Sequence, residues 1–206
     1  MSRAAVFGRI YRTNAWNGRE SRSGPGSGRE PTREPSRWLL GLIQDHSVRA
    51  VLDIGCGDGF WMPDLPGYLG VDVAQEAVDR AKRLHPGRAF QVWDACLSLP
   101  PGDWDLVLCR DVLQHLPLAD GQALLENVRR SRARLLVAST YDSPSERHGD
   151  PLNVDIRPGD CYSPDLTRKP FSLPEPLEVF PDGWDYQDGS QGRDHAKYLG
   201  AWAVPW

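Results

Sequence analysis

Two carboxylates and a run of glycines are the residues here whose spacing does chemistry. In AVLDIGCGDGFWM an apolar run ends at Asp53 and opens into Gly55, Gly57 and Gly59. Glycines at such a turn let a ligand approach the backbone closely, and the segment after it offers free N–H groups to anionic or polar atoms. The next apolar run ends in Gly70-Val71-Asp72, where a carboxylate is placed to accept hydrogen bonds from both hydroxyls of a ribose. A nucleoside-containing cofactor is implied. Further on, RDVLQH sets Asp111 and His115 four residues apart, so a helix beginning at Asp111 would bring them onto one face. An Asp beside a His fixes its tautomer and raises its basicity, as activation of a hydroxyl requires. A His that packs or caps a helix is the competing reading. Asp94, Asp111 and His115 could also approach Mg²⁺, but no dedicated oxygen cage is present, and no metal is expected.

Positioning these groups takes a sheet. From residue 50 onward, apolar runs of four to seven residues alternate with polar segments of helical periodicity, the pattern of a parallel sheet covered by helices. Strands are expected at Ala50 to Ile54, Tyr68 to Asp72, Ala89 to Trp93, Leu106 to Cys109 and Leu135 to Ser139. Helices are expected at Pro35 to His46, Ala74 to Leu84 and Ala119 to Val128, with a final strand over Lys197 to Val204. Only twelve residues separate Gly55 from Tyr68, and they include Pro63 and Pro66, so the helix expected there is about two turns. After Tyr141 the texture turns to Pro, Gly and Asp with weak periodicity.

A nicotinamide fold would prefer G-x-G-x-x-G. Here the spacing is D-x-G-x-G-x-G, and the chain resembles the class I S-adenosylmethionine (SAM) dependent methyltransferases over roughly residues 37 to 141. The resemblance implies an α/β, Rossmann-like, mostly parallel sheet with helices on both faces. It implies that Asp53, Gly55 and Gly57 hold the methionine portion of SAM, and that Asp72 holds the ribose. Asp94, in QVWDA, would reach the adenine amino group, and Arg110 and Asp111 would lie beside the cofactor, with Val73 and Ala95 as neighbouring contacts. The chain is also similar to a group of small methyltransferases with a Trp, then E-S-x-S-G-x-G-S and Thr ahead of the core, and C-G-D-x-x-W-M at the glycine turn. Trp16, Glu20, Ser21, Ser23, Gly24, Gly26, Ser27 and Thr32 fit the first pattern; Cys56, Gly57, Asp58, Trp61 and Met62 fit the second. In that group the N-terminal segment would lie over the cofactor as a lid, which makes ESRSGPGSGREPT part of a site and assigns Trp16, Ser21, Ser27 and Trp61 to cofactor binding.

One domain is expected over 1–206: a lid at 1–34, a cofactor-binding core at 35–141, and substrate-side loops with the final strand at 142–206. In the last region, Asn153, Asp155 and Arg157 could orient a substrate, and the prolines around Phe171 would form a stiff wall. The first reading of function is in-line methyl transfer to a hydroxyl or amine of a sugar or secondary metabolite. The alternative is a cyclase in which the SAM amino group attacks its own γ-carbon, giving azetidine-2-carboxylate and methylthioadenosine. Asp111, His115 and Tyr141 are the candidate catalytic groups for either. A non-catalytic SAM-binding module is disfavoured by the intact motifs.

Charge narrows the partners. Residues 1 to 40 hold eight Arg against three Glu, whereas 141 to 206 hold six basic against twelve acidic residues. With an overall pI near 5.7 and no basic helix face, nucleic acid is not the expected partner; a small molecule is. No apolar run is long enough for a secretory leader or a membrane span, and a cytoplasmic location is expected. The four cysteines lie far apart and suggest neither disulfides nor zinc, so they read as reduced, buried small hydrophobes. Oligomeric state is left open.

Overall fold

The buried runs become strands of a single sheet in the computed structural model, which describes residues 1–65, 67–142, 153–182 and 196–206. The strands are β1 (Val51–Ile54), β2 (Tyr68–Asp72), β3 (Ala89–Val92), β4 (Leu106–Cys109), β5 (Leu135–Asp142), β6 (Glu178–Pro181) and β7 (Ala196–Ala203). Their spatial order is β3-β2-β1-β4-β5-β7-β6. Strands β1 to β5 are parallel, and β7 inserts antiparallel between β5 and β6. Chain order reverses between β1 and β4, and such a switch point opens a crevice at the C-terminal strand ends. Asp53, Asp72 and Arg110 all sit at that edge.

Among the described residues, four helices flank the sheet: α1 (Arg3–Thr13), α2 (Arg29–Asp45), α3 (Gln75–Leu84) and α4 (Leu118–Arg129). Alternation along the strands sorts the core. Leu52, Ile54, Val107, Cys109 and Leu136 pack with Phe7 and Ile10 of α1 and with Leu124 and Leu125 of α4. Val51, Leu106, Leu108, Leu135 and Val137 pack with Leu39 and Leu42 of α2. Helix α3 straddles the two clusters, giving Ala77 to one and Val78 and Ala81 to the other. Each large aliphatic side chain so buried contributes roughly 1.5–3 kcal/mol.

Several expectations need correction. No helix follows β1 among the described residues, because Gly55, Gly57 and Gly59 all have positive φ (67°, 59° and 66°) and Pro63 closes the space after them. Pro66 lies outside the described residues. Helix α2 begins at Arg29, six residues before the expected start, and keeps Pro35 in its interior. The last four residues of ESRSGPGSGREPT are thus helical. The N-terminal region expected as a loop-like lid contains α1, a helix the sequence pattern did not announce. Strand β5 runs to Asp142, beyond the expected Ser139, and β6 was not expected at all. Within the substrate-side region 142–206, residues 143–152 and 183–195 lie outside the described residues. Cys56 and Cys109 are buried, but Cys96 and Cys161 are only half-buried; none of the four is in a disulfide. No helix among the described residues is long and apolar enough to cross a membrane.

Candidate active site

The glycine turn after β1 is gripped from above by the N-terminal arm. Asp58, fully buried, accepts hydrogen bonds from the Ser21 hydroxyl at 2.6 Å, the Arg22 N–H at 2.9 Å and the Arg80 Nε at 2.9 Å. Tyr11 of α1 and Ser23 share a hydrogen bond at 2.8 Å, and a Cβ at Gly57 would sit 2.1 Å from the Ser23 Oγ and 2.5 Å from the Tyr11 hydroxyl. Glycine at 57 is therefore required twice, by its φ and by the arm lying against it. Glu20 accepts from the Arg29 N–H at 2.8 Å and so supplies α2 with the N-terminal acceptor that Gly28 lacks. Ser21 thus spends its hydroxyl on Asp58, while Ser27 is buried in the 3-10 turn Pro25–Ser27. The predicted Glu20–Thr32 stretch is packed onto the turn rather than strung across solvent.

Two carboxylates wait beneath this roof. Asp53 accepts from the Tyr68 hydroxyl at 2.7 Å, and burial pushes its pKa up to about 7 despite that bond. Asp72 accepts from the N–H groups of Gly57 at 3.1 Å and Ala74 at 2.8 Å, and burial raises it to about 6. Desolvation outweighs the hydrogen bonds in both cases. Buried carboxylates held part-way to protonation, one strand apart at a switch point, suit a ligand that brings hydroxyl and ammonium donors. The residues present therefore fit a nucleoside cofactor with an amino acid tail.

The expected adenine contact is more crowded. Both oxygens of Asp94 have partners: one accepts from the Cys96 N–H at 3.1 Å, the other from Arg3 of α1 at 2.8 Å. Arg3 also pairs with Asp120 at 2.7 Å, which ties the start of α1 to α4. Ala95 is buried and Val73 half-buried beside it.

On the other side of β1, Arg110 is a knot rather than a free cation. It forms a two-point contact with Asp182 at 2.9 and 3.0 Å, donates to the Gly26 carbonyl of the arm at 3.1 Å, and lies over the Trp61 ring at 4.9 Å. Asp111 pairs with Lys197 at 2.5 Å and with Arg110 at 3.3 Å, and its N–H donates to Ser139. Burial alone would raise the Asp111 pKa, but Lys197 and Arg110 hold it well below the ordinary carboxylate range. Asp182 and Lys197, which complete this network, were not singled out by the sequence; Asp182 lies in the stretch of weak periodicity and Lys197 opens the expected final strand.

The expected Asp111–His115 partnership is not the one that forms. Asp111 has φ 59°, so it cannot start a helix, and a 3-10 turn at Leu113–His115 follows instead. His115 Nδ1 is 2.9 Å from the Asp160 carbonyl, and the ring packs at a tilt against Trp16 with centroids 5.0 Å apart. Burial lowers the His115 pKa, but Cys161, the Asp160 carbonyl and Asp111 together raise it above its ordinary value. Trp16 meets Phe7, Tyr11 and His115, so it ties the arm to the acceptor side. Tyr141 is buried in β5, its N–H bonded to the Pro164 carbonyl.

Of the other predicted substrate-side groups, Asn153 clasps the backbone of Asp165 and Lys169, and Asp155 accepts from the Leu118 N–H at the start of α4. Arg157 is exposed. Phe171 packs on Gly121. Among the described residues no group of three or more His, Cys, Asp or Glu is arranged to hold a metal ion.

Residues 52–133 match the family described as a methyltransferase domain. The ribosomal RNA large subunit methyltransferase G of Shewanella amazonensis is 32% identical over 108 residues, covering 45% of this chain and 27% of that protein. The ubiquinone biosynthesis O-methyltransferase of Burkholderia vietnamiensis is 30% identical over 106 residues, covering 45% of each. The chain thus spans less than half the length of the curated relatives it matches. Two solved structures align along nearly the whole chain. Magnesium protoporphyrin IX methyltransferase from Synechocystis PCC 6803, with bound SAM, has a TM-score of 0.65 at 15% identity, covering 99% of this chain and 98% of that one. The N-methyltransferase NodS from Bradyrhizobium japonicum WM9, in complex with S-adenosylhomocysteine, has a TM-score of 0.67 at 18% identity, covering 96% and 99%. The fold is that of a class I SAM-dependent methyltransferase.

Proposed function

We propose that this chain transfers the methyl group of SAM to a hydroxyl or amine of a small molecule, a sugar or secondary metabolite being the class in view. The observation that carries this reading is the pair of buried strand-end carboxylates, Asp53 and Asp72, flanking a turn whose glycines at 55 and 57 have positive φ. Bound SAM supplies an electrophilic methyl on a sulfonium, and displacement at that carbon demands alignment more than acid–base work. Asp72 accepts from the ribose hydroxyls, its orientation set by the Gly57 and Ala74 N–H groups. Asp53, whose ionised form gains most from a cation, takes the amino group of the methionine portion. The arm, pinned at Asp58, excludes water above the turn. With Nδ1 donating to the Asp160 carbonyl, His115 presents Nε2 as the lone pair that accepts the proton of a hydroxyl acceptor. A small-molecule acceptor agrees with the acidic pI of about 5.7.

Calorimetry tests the cofactor half of this reading. Asp72→Ala should weaken SAM binding about 30-fold, or about 2 kcal/mol, with the fold retained; unchanged affinity would overturn the assignment. Mass spectrometry of the protein incubated with SAM alone tests the reaction half. SAM recovered intact supports an external acceptor. Methylthioadenosine formed with an equal amount of a cyclic amino acid would replace methyl transfer by cyclisation of the cofactor itself.

A further inference from the structure

Two buried polar atoms on the acceptor side have no hydrogen-bond partner among the described residues: Gln114 Oε1 and the Tyr162 hydroxyl. Both residues are more than nine-tenths buried, at 8% and 6% exposure. The two residues are also neighbours across two segments of chain, since the Tyr162 N–H donates to the Gln114 carbonyl at 3.1 Å. The surrounding backbone is tightly paired: the Gly159 N–H donates to the His115 carbonyl at 2.9 Å, and the Asp160 carbonyl meets the His115 ring.

A buried amide oxygen or phenol without a partner is costly, whereas Leu and Phe of similar shape would carry no such penalty. The same corner adjoins His115, the group assigned above to the acceptor's proton. We propose that Gln114 and Tyr162 form a polar subsite that selects an acceptor bearing a second hydroxyl or amine next to the atom that is methylated, as in a sugar or amino sugar. This rests on the methyltransferase reading. The chemistry sets the pattern. Gln114 Oε1 only accepts, so the ligand must present an O–H or N–H to it; the Tyr162 hydroxyl both donates and accepts, so a vicinal hydroxyl meets it in either sense. A site built to bond such a group rejects the analogue that lacks it far more strongly than an apolar pocket rejects a missing methylene.

The test is ligand-observed saturation-transfer NMR on the S-adenosylhomocysteine-saturated protein. The probes are methyl α-D-glucopyranoside, D-glucosamine and cyclohexanol, a ring of similar size with a single hydroxyl. The natural protein should bind at least one of the sugars in preference to cyclohexanol. Gln114→Leu and Tyr162→Phe should each weaken that binding by tenfold or more, narrowing or abolishing the preference. Each variant removes an unpaired buried polar atom, so its melting temperature should be unchanged or higher, and loss of binding cannot then be laid to unfolding. Calorimetric affinity for S-adenosylhomocysteine should stay the same in both. Sugar binding undiminished in the variants, or no sugar bound by a protein that binds S-adenosylhomocysteine well, overturns the subsite while leaving the cofactor reading intact. Failure of S-adenosylhomocysteine to bind the natural protein overturns the methyltransferase reading, and the subsite with it.

Discussion

At the glycine turn, Asp58 is sealed from solvent and surrounded by donors from Ser21, Arg22 and Arg80. At the β4–β5 side, the buried Gln114 and Tyr162 side chains end in atoms with no hydrogen-bond partner among the described residues. Asp58 and these two side chains are thus treated in opposite ways. Where the chain holds its own arm in place, every charge is answered from within, because a buried carboxylate left short of donors would cost more than the arm could return. In the proposed acceptor subsite, two polar atoms are left unpaired. Asp53 and Asp72 fall between, oriented by the Tyr68 hydroxyl and by backbone N–H groups respectively, yet pushed toward protonation.

The largest expected effect breaks the self-satisfied half. Asp58→Ala would leave the Arg80 guanidinium, the Ser21 hydroxyl and the Arg22 N–H without their common acceptor, at a cost of about 3–5 kcal/mol. A urea melt should show that loss. Limited trypsin digestion should then cut the arm at Arg19, Arg22 or Arg29 well before the core. A variant as stable and as protease-resistant as the natural chain would mean that Asp58 does not hold the arm.

How much of this was legible in the sequence follows the same division. Strands β2 and β4 match their expected spans residue for residue, and α3 and α4 lie within two residues of theirs, because apolar periodicity over a buried sheet is a strong local signal. Asp53, Asp72 and the glycines stand where the motif put them. What failed to show was decided by contacts distant in sequence. Helix α1 has a weak apolar stripe and is held by Arg3 to Asp94 and Asp120. Interior Pro35 argued for a later start to α2, yet Glu20 supplies its first turn from nine residues upstream. The turn at Asp111 was hidden for a similar reason: Lys197 and Arg110 stabilise a left-handed residue that local preference would make helical. Gln114 and Tyr162 carry no sequence signal, since an unpaired atom is a property of the packed chain.

The intermediate behaviour of the cofactor carboxylates gives a smaller, pH-dependent effect. Asp53 titrates near 7 in the folded chain and near 4 unfolded. The folded state therefore binds the extra proton between those values, and stability falls as pH rises from about 4 through about 7. Asp53→Asn keeps an oxygen to accept from Tyr68 and removes the ionisation. At pH 8 the variant should be more stable than the natural chain by on the order of 2 kcal/mol, and the difference should vanish at pH 4. Thermal melts across that range would show it. Saturating SAM should flatten the natural chain's own slope, since a bound ammonium favours the ionised form.

The smallest effect asks how the arm's grip is divided. Tyr11 is 4% exposed and joins α1 to the Ser/Gly loop through its 2.8 Å bond with Ser23, so Tyr11→Phe keeps the ring against Trp16 and removes only that bond. Ser23 retains the Asp58 N–H and carboxylate close by, at 3.4 Å each, and its hydroxyl can turn toward them. The cost should be about 1 kcal/mol in a urea melt, with protease resistance of the arm preserved. A loss as large as that of Asp58→Ala would shift the anchor from the carboxylate to the α1 contact. The arm would then be held by its helix, and the Ser/Gly loop would merely follow it.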